Sequence, residues 1–488
     1  MATKTPNTIE FAGDYDLNHV FLHNHLKEIT DIKAMMVELN VYESIFNNSL
    51  TGSIIITDAQ NLIAKLELNG TERISFKLST PGVDKRGEID ASVETGHPFY
   101  VYKITDRRQI APGTNLYTLH FASREFMRNL RTKVSQAYNG RLDLAVQKIL
   151  QEEDYLDSRK KLKYEKTGNS NKIVIPNLRP FDAINMIANQ SLPEKSDGVG
   201  YYFYQTIKCF HFRSWDSMVS KQGNATRPIA QEFYYMPLKF KDEAIENKIE
   251  HDFKSVQSYR FLNNFHDVAA NTALGTYGHR VISYNLYDKS IVEGDWNYHN
   301  MFDSTKHTDY ENNYRDAEKT PIASSPVDYD NTKGISDYPE SRVSLQSTTQ
   351  FLHNKEKGAK YGLDVFGDSF NKGQQVSQQN QILHGTALKL VVKGQSYLEP
   401  GDLIQFNIRP IDADKTDIEE DYRYSGQYVI TKIRHQITSD IYTMVLECAK
   451  DSVVNPVVAG EPQYQANKNK GDLEDIYDSS TNIYNRHN

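Results

Sequence analysis

Apolar and polar residues alternate with a period of two over much of the first quarter of the chain. Val37, Leu39 and Val41 share one face between Met36 and Tyr42, and Ser53–Thr57 follows a Thr51-Gly52 turn signal. Arg73–Ser79 sets Ile74, Phe76 and Leu78 against Arg73, Ser75 and Lys77, the pattern of a half-buried antiparallel strand. Phe99–Ile104 and Leu116–Phe121 flank a turn containing Pro112 and Gly113. Residues 1–122 read as a first small β domain.

From Ser123, a candidate helix cap, the period lengthens. Phe126, Met127, Leu130 and Val134 recur at helical spacing, as do Leu142, Ala145, Val146, Ile149 and Leu150. Pro180 opens a third helical stripe of Phe181, Ile184, Ile187 and Ala188. Residues 123–199 are therefore expected to form a helical connector. Strand patterns return at Gly200–Arg213 and at 387–392, 403–408, 427–433 and 441–448, which assigns 200–254 and 381–455 to a second β domain. Between them, 255–380 is rich in Asn, Asp, Ser, Tyr and Gly and reads as an inserted elaboration, and 456–488 reads as a flexible tail. The expected class is α+β, mainly β.

The two strand sets match in order and spacing. Ile74, Phe76 and Leu78 align with Ile404, Phe406 and Ile408, Tyr100-Val101 with Tyr428-Val429, and Leu116-Tyr-Thr-Leu with Ile441-Tyr-Thr-Met. Two unrelated meanders can converge on such alternation; the alternative is a duplicated antiparallel β domain. Duplication bears on assembly, because two equivalent domains per chain turn a closed ring of three chains into a quasi-sixfold ring. Three chains of 56.0 kDa would weigh about 168 kDa.

Composition narrows the classes. At 488 residues the chain holds two to four domains. Its net charge of −8 argues against a protein whose main work is gripping phosphates. Cys209 and Cys448 are too few to staple a chain of this length and suggest a reducing cytoplasm. The start lacks an apolar signal region, and no run approaches the length needed to span a bilayer, so no membrane anchoring is expected.

Several of these segments also carry a family resemblance. Val37–Glu43, Thr51–Asp58 and Asn61–Ile63 resemble the opening of baseplate hub proteins from contractile-tailed bacteriophages. Ile175–Asn185 resembles that family's connector helix, and Leu383-His-Gly385, Lys393-Gly394, Pro400-Gly-Asp402 and Ser425-Gly-Gln-Tyr428 resemble its second tube domain, a pattern shared more loosely with the hub part of type VI secretion spike proteins. Gly52, Asp58, Gly394, Gly401, Asp402 and Gly426 are the turn positions of this signature. The resemblance implies two tube-type domains and a homotrimer forming a pseudo-hexameric ring. Such a ring adapts a sixfold tail tube, or tube-initiator protein, to a trimeric central spike among surrounding baseplate proteins. It also implies a virion protein assembled in the host cytoplasm, with no catalysis, no cofactor, and DNA met only as passing cargo. The same hub in a contractile injection machine is an alternative.

Other motifs point to chemistry of a different kind. Leu363–Phe370 imitates a GDSL-type esterase step with Ser369 as nucleophile, but no Asp-x-x-His follows to supply the base. His19, His23 and His25 have spacing that could place two or three imidazoles on one face around a metal, and surface histidines are the simpler reading. Asp328-x-Asp330-x-Thr332 lacks the Gly and Glu of a calcium loop, with Lys333 and Pro339 in their places. Glu293-Gly-Asp295-Trp296, beside Tyr298 and His299, is the candidate for sugar stacking in a rival carbohydrate-binding or cell-wall-degrading protein.

Overall fold

A computed structural model describes residues 11–454, apart from 27, 82–87, 169, 196–199, 220–227, 236–247, 263–266, 285–288, 290, 315–332, 348–384, 409–420 and 422. The Ser369 motif, Asp328–Thr332 and the 456–488 tail lie outside the described residues.

In the first part, strands β1 (Asp16–His23), β2 (Ile29–Asp31), β3 (Met36–Ser44) and β4 (Thr51–Asp58) precede a short helix α1 (Leu62–Lys65). Strands β5 (Arg73–Ser79), β6 (Ile89–Asp90), β7 (Phe99–Ala111) and β8 (Thr114–Ala122) follow. The alternation has the expected consequence: Ile74, Phe76 and Leu78 are buried, while Lys77 faces out.

The chain then passes through α2 (Arg124–Asn129), β9 (Val134–Arg141), α3 (Leu142–Gln151), β10 (Leu162–Tyr164), β11 (Ser170–Leu178) and α4 (Pro180–Ala188). Three helices are present as expected, but the first ends at Asn129. Val134, read as its last apolar turn, instead opens a strand paired with β11. The β-branched side chain of Val134 is buried equally well by either element, so the helical period was extended one turn too far. The hairpin β12 (Tyr201–Gln205) and β13 (Phe210–Ser214) was expected with the second β domain. Its Tyr201, Phe203, Phe210 and Phe212 pack into one core with Val146, Ile149 and Ile184 of the helices.

The remaining strands are β14 (Gln231–Tyr234), β15 (Val256–Phe261), β16 (Gly278–Tyr284), β17 (Ile291–Asn297), β18 (Val343–Ser347), β19 (Thr386–Lys393), β20 (Leu403–Asn407), β21 (Gly426–Thr438) and β22 (Tyr442–Lys450). β16, β17 and β18 form a small sheet, with Tyr277, Tyr298 and Phe302 clustered beside it. The elaboration therefore begins after β15, because residues 256–261 are a strand of the main sheet.

Among the described residues that sheet has fourteen strands and runs β15-β19-β22-β21-β3-β4-β8-β7-β5-β1-β2, with β20 and β14 branching from β21 and β6 pairing β5. One order occurs in it twice. β3-β4-β8-β7-β5 and β15-β19-β22-β21-β20 are both antiparallel throughout. Even the irregularities coincide: a bulge at Met36/Glu38 matches one at Val256/Ser258, and one at Val101/Lys103 matches one at Ile430/Lys432. The halves part at their ends, where β1 runs antiparallel to β5 but β14 runs parallel to β20.

The pairings also correct the register read in the sequence. Ile74 faces Phe99 as Ile404 faces Tyr428, so Tyr428 matches Phe99 and not Tyr100. Counting on from the shared bulge, Leu446 matches Leu119, two places from the sequence alignment. The slip of two at Leu446 keeps every side chain on its face, so alternation alone could not detect it, while the slip of one at Tyr428 came from matching two identical Tyr-Val pairs.

Candidate assembly interface

The two halves meet along β3 and β21. Seven residue pairs, from Ser44 opposite Lys432 to Glu38 opposite Thr438, continue one half's sheet into the other. Leu39 and Val41 on β3 and Ile433 and Ile437 on β21 are buried there. On the opposite face, the Arg434 guanidinium donates to Glu38 Oε1 at 2.8 Å and to Asn40 Oδ1 at 2.9 Å, fixing the register with a charge-assisted contact.

Two polar residues interrupt the buried rows. Glu43 follows Leu39 and Val41 in register, and His435 lies between Ile433 and Ile437; both are buried. His435 Nδ1 is 2.7 Å from the Tyr442 hydroxyl, His435 Nε2 is 3.5 Å from Glu43 Oε1, and Glu43 Oε1 accepts the Ile207 N–H. Glu43 also bears on Lys160, whose ammonium burial pushes its pKa down while the charges of Glu125 and Glu43 oppose that shift. Burial would raise the Glu125 carboxyl, but the Lys160 charge and hydrogen bonds from Ser158 and Gln205 hold it below its usual range. Gln205 Oε1 in turn accepts from Ser123 and from the Leu50 N–H. This network ties both halves to the connector, and buried polar groups so paired are specific to one arrangement. It was missed in the sequence; its signal was a Glu and a His sitting in otherwise apolar strand registers.

A second lock joins the connector hairpin to the turn before β20. His211 Nε2 lies 3.2 Å from both Cys209 Sγ and Glu399 Oε2, with the His211 ring stacked on Tyr204. These three residues each offer one ligand atom and form the one cluster with metal-binding spacing among the described residues. Lys208 occupies the other Glu399 oxygen at 3.0 Å, and the charge of Lys163 also bears on this carboxylate. Against burial, His211, Lys208 and Lys163 hold Glu399 well below its normal range. Two ammonium charges do the work a cation would do, so the cluster is an ion-paired lock. Nor is it a catalytic triad, since one imidazole nitrogen faces both the thiol and the carboxylate.

A third lock holds residues 298–314 against the second half. Asp451 accepts from Thr308 N–H and lies 2.9 Å from His307 Nδ1; against its burial, His307 and Thr308 lower its pKa to about 2. Lys450 donates to the Arg423 and Ser425 carbonyls, and burial lowers its pKa to about 8 despite Asp309, Asp421 and Asp451 nearby.

The signature turn positions have varied surroundings. Gly52 is not in a turn: it lies within β4, where a Cβ would strike the Phe121 ring and the Asn40 carbonyl. Asp58 ends β4 and accepts from Gln60 N–H, Leu62 N–H and the Tyr117 hydroxyl. Gly394 leaves β19 beneath the Tyr442 ring, and Gly426 opens β21 beside Asp309. Gly401 has φ +85, a left-handed turn with the Tyr204 hydroxyl against it, and Asp402 accepts the Glu399 N–H.

The candidate chemistry is dispersed. His19 Nδ1 bonds Asp31 and His23 Nε2 bonds Ser75, each at the edge of a groove of about 620 Å³ lined also by Phe21, Arg73 and Lys77; His25 is not among its lining residues. Burial and the Arg73 charge lower the His23 pKa. The three histidines are not brought onto one ligand-binding point. Trp296, Tyr298 and His299 are buried, so no exposed aromatic platform for a sugar exists there, and Asp295 pairs with Arg280. The Trp reads as a binding residue in sequence because apolar anchoring and stacking use the same residue type.

No family model and no curated protein matches this chain. The chain is similar to phage tail proteins. A tail protein from Neisseria meningitidis MC58 superimposes with a TM-score of 0.47 at 9% identity, over 90% of this chain and 97% of that one. A 43 kDa tail protein of prophage MuSo2 from Shewanella oneidensis gives 0.47 at 10% identity, over 89% and 99%. An Escherichia coli component of the type VI secretion system gives 0.37 at 10% identity, over 88% and 78%.

Proposed function

We propose that this chain is a structural, non-enzymatic baseplate hub. Three copies form a pseudo-hexameric ring that adapts a sixfold tail tube to a threefold central spike and leaves a channel for ejected cargo. In this reading residues 1–122 are one tube-like unit, β14, β15 and the strands from β19 to β22 supply the other, the helices with the β12–β13 hairpin connect them, and the stretch between β15 and β19 is an elaboration.

One observation carries the reading. A single chain holds the same five-strand order twice, with two bulges at matching positions, and joins the two copies edge to edge through β3 and β21. A joint between equivalent but non-identical edges is the step from which rings are built. The net charge of −8 suits a passage that must not hold nucleic acid.

The test is the mass and shape of the purified chain. A species of about 168 kDa that is a hollow ring with six similar lobes by electron microscopy is expected from three 56.0 kDa chains. A monomer at micromolar concentration that stays single with tube and spike proteins present would refute the reading.

A further inference from the structure

We propose that the groove over β1 and β5 seats residues 472–478 of the same chain, Asp-Leu-Glu-Asp-Ile-Tyr-Asp. That segment lies outside the described residues, and the contact requires no assembly of chains.

The groove follows from strand alternation. β1 and β5 pair antiparallel, with Phe21 opposite Ser75 and His23 opposite Arg73, and β2 lies beyond β1. Val20, Leu22, Ile74 and Phe76 point into the core, so His19, Phe21 and His23 share the other face with Arg73, Ser75 and Lys77. The outward face of a half-buried strand is ordinarily polar. Here the Phe21 ring lies in it, with the His19 ring stacked on it at 4.9 Å, and Ile29 and Val93 stand exposed at the sides of a depression of about 620 Å³. An apolar floor of this kind is a mark of an interaction site.

Charge selects the occupant. Among the described lining residues, Arg73, Lys77 and two histidines face a single acid, Glu94. Lys77 lies 3.4 Å from Asp90, and His19 lies 2.9 Å from Asp31. Arg73 has no ion pair among the described residues, and it sits half-buried beside His23, where a guanidinium favours a carboxylate. Residues 472–478 place Asp472, Glu474, Asp475 and Asp478 around Leu473, Ile476 and Tyr477. Carboxylates for the rim and apolar side chains for the floor therefore come within seven residues.

The reach is sufficient. The described residues run to Val454, which lies beside Gly426 at the start of β21. β1 stands six strand positions from β21, roughly 29 Å across a flat sheet, and the diagonal over the whole length of β21 is about 53 Å. The chain from Val454 to Asp472 spans up to about 60 Å. Curvature of the sheet only shortens the path.

Full-length Val93→Cys with Ile476→Cys tests the contact by mild oxidation and a non-reducing denaturing gel. A single-chain band of altered mobility that reverts on reduction is expected, since a bridge needs the two Cα atoms within about 7 Å. Native Cys209 and Cys448 are buried and do not compete. Val93→Cys with Ile418→Cys places the second thiol in the other acidic stretch, 411–420, and should give no such band. Absence of the first bridge, bridging at Ile418 instead, or bands joining two chains each overturn the proposal. Hydrogen exchange supplies a measure that needs no cysteine. In the parent chain, amides of 472–478 are expected to exchange more slowly than those of 463–470, and Arg73→Glu should remove about tenfold or more of that protection. Amides of 432–438 that stay protected in the variant show that it has folded. Exchange at 472–478 as fast as in a synthetic peptide of the same sequence overturns the proposal.

Discussion

One strand of the repeated order meets two fates. In the second half, Lys432–Thr438 lies under β3, with Ile433, His435 and Ile437 buried and their neighbours half-covered. In the first half, the corresponding stretch of β7 is paired with β8 on one side and with no described strand on the other, and Asp106 through Ala111 are exposed. Both strands have the same neighbours behind them, so position in the order does not decide burial; a filled edge does. The side chains record the difference, as Ile-Arg-His-Gln-Ile over 433–437 in one half and Ile-Thr-Asp-Arg-Arg-Gln over 104–109, one residue longer at a bulge, in the other.

The interiors differ in a complementary way. Within the matched β4 and β19, Gly52 lies opposite Phe121, while its counterpart Leu388 lies opposite Cys448. One half packs nothing against a ring, and the other packs a branched side chain against a thiol. Gly52→Leu should therefore cost about 3 kcal/mol. Adding Phe121→Cys should recover part of that loss, by at least about 1 kcal/mol of coupling in denaturant midpoints. If the double variant is no better than Gly52→Leu, the two interiors are not interchangeable solutions to one packing problem.

A milder comparison uses the matched core leucines. Leu119→Ala and Leu446→Ala each remove a fully buried side chain and should each cost about 3 kcal/mol. Equal losses in one transition would show that the halves unfold together; two separate transitions would divide the sheet at β3 and β21.

Among the described residues the Asp451 lock belongs to the second half. Its carboxyl titrates at about 2 when folded against an ordinary 3.8, so the stability it contributes is present above pH 4 and is lost as pH falls towards 2. Asp451→Asn should cost about 2 kcal/mol at pH 7. That deficit against the parent chain should shrink below pH 4, measured by thermal melts across the range. A deficit unchanged at pH 2 would assign the effect to packing.

The smallest effect belongs to the exposed tip. Arg107→Ala and Ile110→Ser should change the melting stability of the single chain by less than about 0.5 kcal/mol. A larger loss in the monomer would mean that the tip is already packed within its own chain.

Much of the fold was legible. The main strands near 36, 53, 73, 99, 116, 387, 403, 427 and 441 lie where alternation placed them, because a sheet with one buried face imposes a period of two on its residues. The three helices were legible for the same reason at their own period. Val134 was misread since one β-branched residue suits either element, and β15 was lost among polar neighbours since Gln257, Ser258 and Arg260 lie exposed. At the candidate interface, Arg434 and Glu38 carried no local signal. They meet across 396 positions of chain.

By itself the sequence determined periodicity, element order and the fact that the strand sets resemble each other, because these depend on neighbours within a few residues. The tertiary structure decided register, which strand fills which edge, and which polar residues are buried together. A slip of two leaves alternation untouched, an edge is filled by a strand hundreds of residues away, and a buried carboxylate is tolerated only where its partners converge.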